Sequence, residues 1–203
     1  MASTASPYGL KAVNELGGLP YAGSTRTFLI DPAGYNTNIF NGSIVAINTS
    51  GYINIVTTNG DNSTPFPAGT IGVFVGCSYY NAQGQLIFSQ YYPANTTGVV
   101  QAFVIDDDRA VFQVQADGSV AQTGLGMNAY LAAVQSTSTG STTTGNSNTA
   151  LDASTLAATS GFAFRIVGFA NVPGFSQVGD AYTDVLVKFN PGSHSYSNAT
   201  GVA

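Results

Sequence analysis

The sequence predicts an all-β protein, a jelly-roll-like sandwich or barrel with an extended N-terminal arm. Three observations predict it. Apolar residues come in short runs, separated by Gly, Pro, Asn and Asp, which is the pattern of many short strands between turns. Glycine is abundant, at 24 of 203 residues, and supplies those turns. Hydrophobic residues make up 44% of the chain, enough for a packed core and too many for global disorder.

The elements follow in order. Residues 1–20 read as the arm. Ser6-Pro7-Tyr8-Gly9-Leu10 and Leu16-Gly17-Gly18-Leu19-Pro20 both carry breakers, and no period of 2 or 3.6 runs across them. Tyr8, Leu10, Val13 and Leu16 are apolar anchors, able to dock on the domain itself or on a neighbouring subunit. A single β domain is expected over 21–192. Its first strand is Thr25–Ile30, ended by Pro32-Ala33-Gly34. Ile44–Ile47 and Tyr52–Val56 flank Asn48-Thr49-Ser50-Gly51, a hairpin turn. Ile71–Tyr80 is a long strand with a bend at Gly76. It turns at Asn81-Ala82-Gln83-Gly84 into Gln85–Tyr92. Val99–Ile105 and Ala110–Gln115 flank the acidic connection Asp106-Asp107-Asp108-Arg109. Gly124–Val134 reads as one short helix or turn, and Ala163–Ala170 and Asp184–Phe189 as the last strands. That gives about nine strands, enough for a sandwich or jelly roll. Ser136–Asn148 is a Ser/Thr/Gly stretch too polar to pack, so it reads as an exposed loop. Residues 193–203 read as a flexible tail.

Charge is scarce. Only 7% of residues are charged, against roughly a quarter in ordinary proteins, and there is one His and one Cys. The supply of bases, acids and metal ligands is nearly empty, which points to a structural or binding role before a catalytic one. Net charge is −5, and the five cations (Lys11, Arg26, Arg109, Arg165, Lys188) are scattered, so no basic patch for nucleic acid is visible. No apolar run approaches the roughly 18 residues that cross a bilayer. Met1–Ser6 has neither a basic segment nor an apolar one, so no signal peptide is expected. The five Asn-x-Ser/Thr sequons, at Asn41, Asn48, Asn62, Asn95 and Asn198, then reflect composition alone.

Each chemical candidate has a plainer reading beside it. Cys77 cannot form an intrachain disulfide and reads as a buried small hydrophobe; as a nucleophile it needs His194 for a base, and His194 sits in the tail. Asp106-Asp107-Asp108 is the densest ionisable cluster. It lacks the spacing of a calcium loop, and adjacent strand residues point apart, so it reads as an acidic turn. Asp180 and Asp184 could pair for hydrolysis, but no further motif supports them. Gly124-Leu125-Gly126-Met127 resembles a glycine loop only in passing. Tyr79-Tyr80 and Tyr91-Tyr92 lie on the two arms of one hairpin. They suit core or interface packing, with a sugar-binding platform as the alternative.

Several short segments, in order, resemble a known family. They are Ser-Pro-Tyr-Gly-Leu-Lys at 6–11, Ala-Gly-Ser-Thr-Arg at 22–26, Ile-Phe-Asn-Gly at 39–42, Gly-Val-Phe-Val-Gly-Cys at 72–77, Ser-Gln-Tyr-Tyr-Pro-Ala at 89–94, the Asp triplet at 106–108 and Phe-Gln-Val-Gln-Ala-Asp-Gly at 112–118. Together they resemble capsid decoration, or cement, proteins of tailed bacteriophages. The resemblance implies a non-enzymatic β-rich body on the outer head surface, made in the host cytoplasm. It implies the major capsid protein as partner, a homo-oligomer with a trimer favoured, and no cofactor, metal, nucleic acid or membrane. It implies capsid contact through Pro7, Tyr8, Leu10 and Lys11. The rivals are a virion surface adhesin or lectin-like module using the tyrosine pairs, and a hydrolase using Asp106–Asp108 or Asp180 and Asp184.

Overall fold

The computed structural model describes residues 4–202. Its strands are β1 (Lys11–Glu15), β2 (Arg26–Ile30), β3 (Ile44–Ile47), β4 (Ile53–Ile55), β5 (Thr70–Tyr80), β6 (Leu86–Ser89), β7 (Val100–Ile105), β8 (Ala110–Gln115), β9 (Asn128–Ala129), β10 (Phe164–Phe169) and β11 (Asp184–Phe189). They form two antiparallel sheets. One has the order β1-β8-β11-β10-β9; the other runs β2-β7-β5-β3-β4, with β6 also paired to β5. β1 pairs with β8 in the first sheet while β2 pairs with β7 in the second. Consecutive strands β1 and β2 thus begin the two different sheets. The result is an all-β sandwich, as the turn-punctuated apolar runs predict.

Two hydrophobic clusters form because β5 and its neighbours are apolar on both faces. Between the sheets, Ile44, Val73 and Ile105 meet Phe112, Val114, Phe164, Ile166, Val185 and Val187. Phe66, Phe164 and Phe189 close one end of this core, with Phe164 and Phe189 ring centroids 4.9 Å apart. On the far face of the six-stranded sheet, Ile30, Val45, Ile53, Phe74, Cys77, Val100, Ala102 and Val104 make a second cluster. Ile39 and Tyr92 cover it, bonded to each other through their backbones. The Tyr92 hydroxyl lies 3.1 Å from the carbonyls of both Tyr35 and Thr96, so its polar end is satisfied although the ring is buried.

β5 departs from a plain strand at two points. Its register slips between Val45 and Ala46 on the β3 side and between Phe74 and Gly76 on the β7 side. These are bulges, and the second is the bend expected at Gly76. Gly72 sits at φ 143°, and a Cβ there would collide with the Ile105 carbonyl oxygen, so only glycine fits.

Three segments differ from the sequence expectation. The N-terminal segment does not extend away as an arm: Lys11–Glu15 forms the edge strand β1 on β8, and Leu10 is 1% exposed. A register shift between Ala12 and Asn14 breaks the alternation, which hides the strand from a period-2 reading. Of the expected arm, residues 1–3 lie outside the described residues. The tail also packs. His194 is buried, and Ser195–Ser197 form a single 3₁₀ turn. Gln122–Gly124 form another, within the segment read as a short helix or turn. The Ser/Thr loop is exposed at residues 141–144 but anchored beyond them: the Asn41 N–H donates to the Gly145 carbonyl at 2.9 Å and the Ser147 N–H to the Asn41 carbonyl at 2.8 Å. Just before that loop, the side chain of buried Gln135 acts as a substitute strand. Its Oε1 accepts from Ile44 N–H at 2.8 Å, and its Nε2 donates to the carbonyls of Ile44 and Val56 at 3.1 and 3.0 Å.

Candidate binding surface

The β5–β6 hairpin is set by its turn. The Asn81 side-chain oxygen accepts from the N–H groups of Gln83 and Gln85 at 3.0 and 2.9 Å, which fixes a tight connection. The register then places Ser78 opposite Phe88 and Tyr80 opposite Leu86, while Cys77 and Tyr79 face Ser89 and Ile87. Alternation does the rest. Cys77 and Tyr79 turn toward the second core, and Ser78, Tyr80, Leu86 and Phe88 turn the other way. β7 continues that face with Gln101 and Phe103, and Leu29 of β2 lies opposite Gln101.

This face is where the inter-sheet core runs out. Further back along β5, Val73 on the same side is fully covered by the opposite sheet. Here Phe88 is 72% exposed, Val99 63%, Tyr80 62%, Leu86 49% and Leu29 46%. Ser78, Tyr79, Tyr80, Leu86, Phe88, Val99, Gln101 and Phe103 line a shallow cleft without a single charged side chain. Of the four tyrosines singled out in the sequence, only Tyr80 presents its ring to solvent here. Tyr79 is half-buried, and burial, then the neighbouring Cys77 and Tyr91, raises its phenol pKa. Tyr91 stacks on Phe40 at 5.6 Å, and Tyr92 is core.

The residues expected to contact a capsid lie elsewhere, and Tyr8, Leu10 and Lys11 are engaged with their own domain. Leu10 belongs to the inter-sheet core and donates its N–H to the Gly42 carbonyl at 3.0 Å. Tyr8 is half-buried and donates its hydroxyl to Asp184 Oδ1 at 3.0 Å. Burial, with Asp184 beside it, pushes the Tyr8 phenol well above its ordinary value. Burial also raises the Asp184 carboxyl, against the Tyr8 hydrogen bond and the nearby Lys11. Lys11 is exposed, its Nζ 4.4 Å from the Tyr8 ring centroid, and Pro7 is half-buried.

The ionisable candidates are separately tied. Asp106 is 8% exposed, and its Oδ2 accepts from Arg26 at 2.8 Å and from the Tyr196 hydroxyl at 2.7 Å. Arg26 also reaches the Tyr196 hydroxyl. Asp107 Oδ1 accepts the Arg109 N–H at 2.8 Å, which closes the turn, while Asp108 is exposed. Asp180 caps a different turn, accepting from the Gln177 N–H at 2.9 Å. Cys77 is buried, its thiol pushed up to about 12 by burial alone, so it is an unreactive thiol and not a thiolate. His194 packs against Phe189 of the inter-sheet core, away from the second cluster that holds Cys77. The glycine loop at 124–127 is a turn, with Gly124 packed close to Val120 and Leu156. Among the described residues, no group of three or more His, Cys, Asp or Glu is placed to hold a metal ion. No helix among them is long and apolar enough to cross a membrane.

Sequence reasoning located the hairpin through its tyrosine pairs but missed Phe88, Val99, Phe103 and Leu29. A signal was present: Leu86-Ile87-Phe88 is apolar on both alternating faces of a short strand, where a half-buried strand carries polar residues on one. Comparison with family models, with curated proteins and with solved structures finds no match to this chain.

Proposed function

We propose that this chain is a non-catalytic structural subunit of a virus particle, of the capsid-decoration kind. It would bind neighbouring major capsid subunits on the outer head surface, as a homo-oligomer with a trimer favoured. The observation that carries the reading is the uncharged apolar sheet face around Phe88 and Tyr80. An aromatic side chain buries about 150–250 Å² on full burial. With Phe88 and Tyr80 exposed at 72% and 62%, and Val99, Leu86 and Leu29 beside them, the face offers a few hundred Å². A stable one-to-one interface takes about 800 Å² per partner. One such face therefore makes a weak contact, which becomes firm where many copies hold one lattice. A subunit that binds only the assembled lattice stabilises it by mass action. The scarcity of charge, at 7% of residues, supports the same reading, because interface centres are depleted in charge.

The test is co-sedimentation with shells freed of this chain, comparing wild type with Phe88→Ser and Tyr80→Ser. Binding by wild type that falls at least tenfold in the variants supports the proposal. Equal binding by all three, or none by wild type, refutes it. The adhesin reading has one observation in its favour: the exposed Tyr80 ring lies beside Ser78 and Gln101, the mixture that sugar recognition uses. Glycan-array signal that is lost in Tyr80→Ala, with no binding to shells, would select it.

A further inference from the structure

The C-terminal segment is fastened to the body through the chain's one histidine. His194 is 1% exposed and lies edge-on to Phe189 and Tyr196, with ring centroids 5.5 and 5.2 Å away. Its Nδ1 accepts the Tyr196 N–H at 3.2 Å, capping the 3₁₀ turn Ser195–Ser197. That bond fixes the protonation state. Nδ1 accepts only in a neutral ring whose proton sits on Nε2. Nε2 is buried and makes no hydrogen bond of good geometry.

The same segment carries a second fastening. Tyr196 donates its hydroxyl to Asp106, and Arg26 from β2 reaches both. Farther along, Val202 packs over the position of Gly69, just before β5. The groups facing His194 can be named. Asp108, Asp106 and Asp107 of the β7–β8 connection favour a charged ring, as does the Ile71 carbonyl of β5. β11 contributes the apolar Phe189, and Tyr196 belongs to the segment itself. Arg26 offsets the pull of Asp106 by pairing with it.

We propose that His194 is an acid-sensitive latch: neutral, it holds residues 193–200 on the body; protonated, it releases them. Two effects act together. A protonated ring carries N–H on both nitrogens, so Nδ1–H would confront the Tyr196 N–H, donor against donor. The charge would also sit in a site shielded from water. Release would draw the Tyr196 hydroxyl away from Asp106 and uncover Phe189 and the start of β5. Burial is the largest influence on the ring and holds its pKa below the ordinary 6.5, against the three aspartates and the Ile71 carbonyl. The closed form therefore binds fewer protons than the open one. Closure is fully favoured above pH 6.5 and weakens as the pH falls below it. The closed-to-open ratio drops by up to about tenfold per pH unit until the lowered pKa is reached.

The test is hydrogen exchange on peptides covering residues 190–202, from about pH 7.5 to about pH 5, corrected for the intrinsic pH dependence of exchange. Wild type should lose protection in this segment while β8 and β11 keep theirs. His194→Asn retains an acceptor for the Tyr196 N–H but cannot be protonated in this range, so its profile should be flat. Tyr196→Phe removes the bond to Asp106 and should keep the pH step. A flat wild-type profile, or the same step in His194→Asn, would overturn the latch. Should His194→Asn fail to fold, the single histidine can be titrated in wild type by NMR. A midpoint below 6.5 accompanied by shifts at Tyr196 supports the latch; a midpoint at or above 6.5 overturns it.

Discussion

The two halves of β5 belong to one strand, yet they meet different surroundings. From Thr70 to Cys77 both faces are covered, Val73 against the opposite sheet and Phe74 against the second cluster. From Ser78 to Tyr80 one face is still covered, through Tyr79, while the other opens at Tyr80 beside Leu86 and Phe88. The residue types hardly change across the join, so local sequence does not decide which half is core. What decides is the reach of the five-stranded sheet and of the segments carrying Ile39 and Tyr92. Apolar residues in the first half stabilise the fold by leaving water. Those in the second half have not left it, and they remain available to another surface.

Substitutions can break or sharpen that contrast. The largest effect is expected in the sealed half. Phe74→Ala empties a fully buried position in the second cluster and should cost about 3–5 kcal/mol in denaturant unfolding. A cost below about 1 kcal/mol would mean that this half is not sealed. Next is the support beside it. Gln135→Leu strips the side-chain partner from the Ile44 N–H and from the Val56 carbonyl, while the Ile44 carbonyl keeps the Val56 N–H, and should cost about 3 kcal/mol. A smaller effect is expected where the N-terminal segment is pinned. Tyr8→Phe removes the hydroxyl from Asp184 and should cost about 1 kcal/mol, with faster exchange in β1 if the segment is held as described. The smallest effect on stability belongs to the open half: Phe88→Ser should change it by no more than about 0.5 kcal/mol, because the ring is already 72% exposed. Phe74 and Phe88 are thus the same residue type in one sheet with opposite expected costs, and similar costs for the two would erase the distinction.

Much of the fold was legible in the sequence, because the strands from Arg26 onward are apolar runs between strong breakers. Except for β9, their observed bounds fall within a few residues of the expected ones, and Ile44–Ile47, Ala110–Gln115 and Asp184–Phe189 coincide. The unread parts have physical reasons. β1 is masked by its bulge, and β9 is two residues long, too short for any period. Leu10 and His194 read as parts of loose ends because composition near Gly, Ser and Pro cannot report burial supplied by distant strands. Gln135 precedes a polar stretch, and only the fold brings Ile44 and Val56 to its amide. The binding surface was half legible. Tyr80 lay in a pair already singled out, whereas Phe88, Val99, Phe103 and Leu29 join it only through strand register.

The most direct measurement is a high-resolution electron cryomicroscopy map of the particle carrying this chain. The account expects density on the outer shell, bridging capsid subunits, with the Tyr80 and Phe88 face against a neighbour. Density confined to tail or fibres, or a shell position with that face turned to solvent, would contradict it.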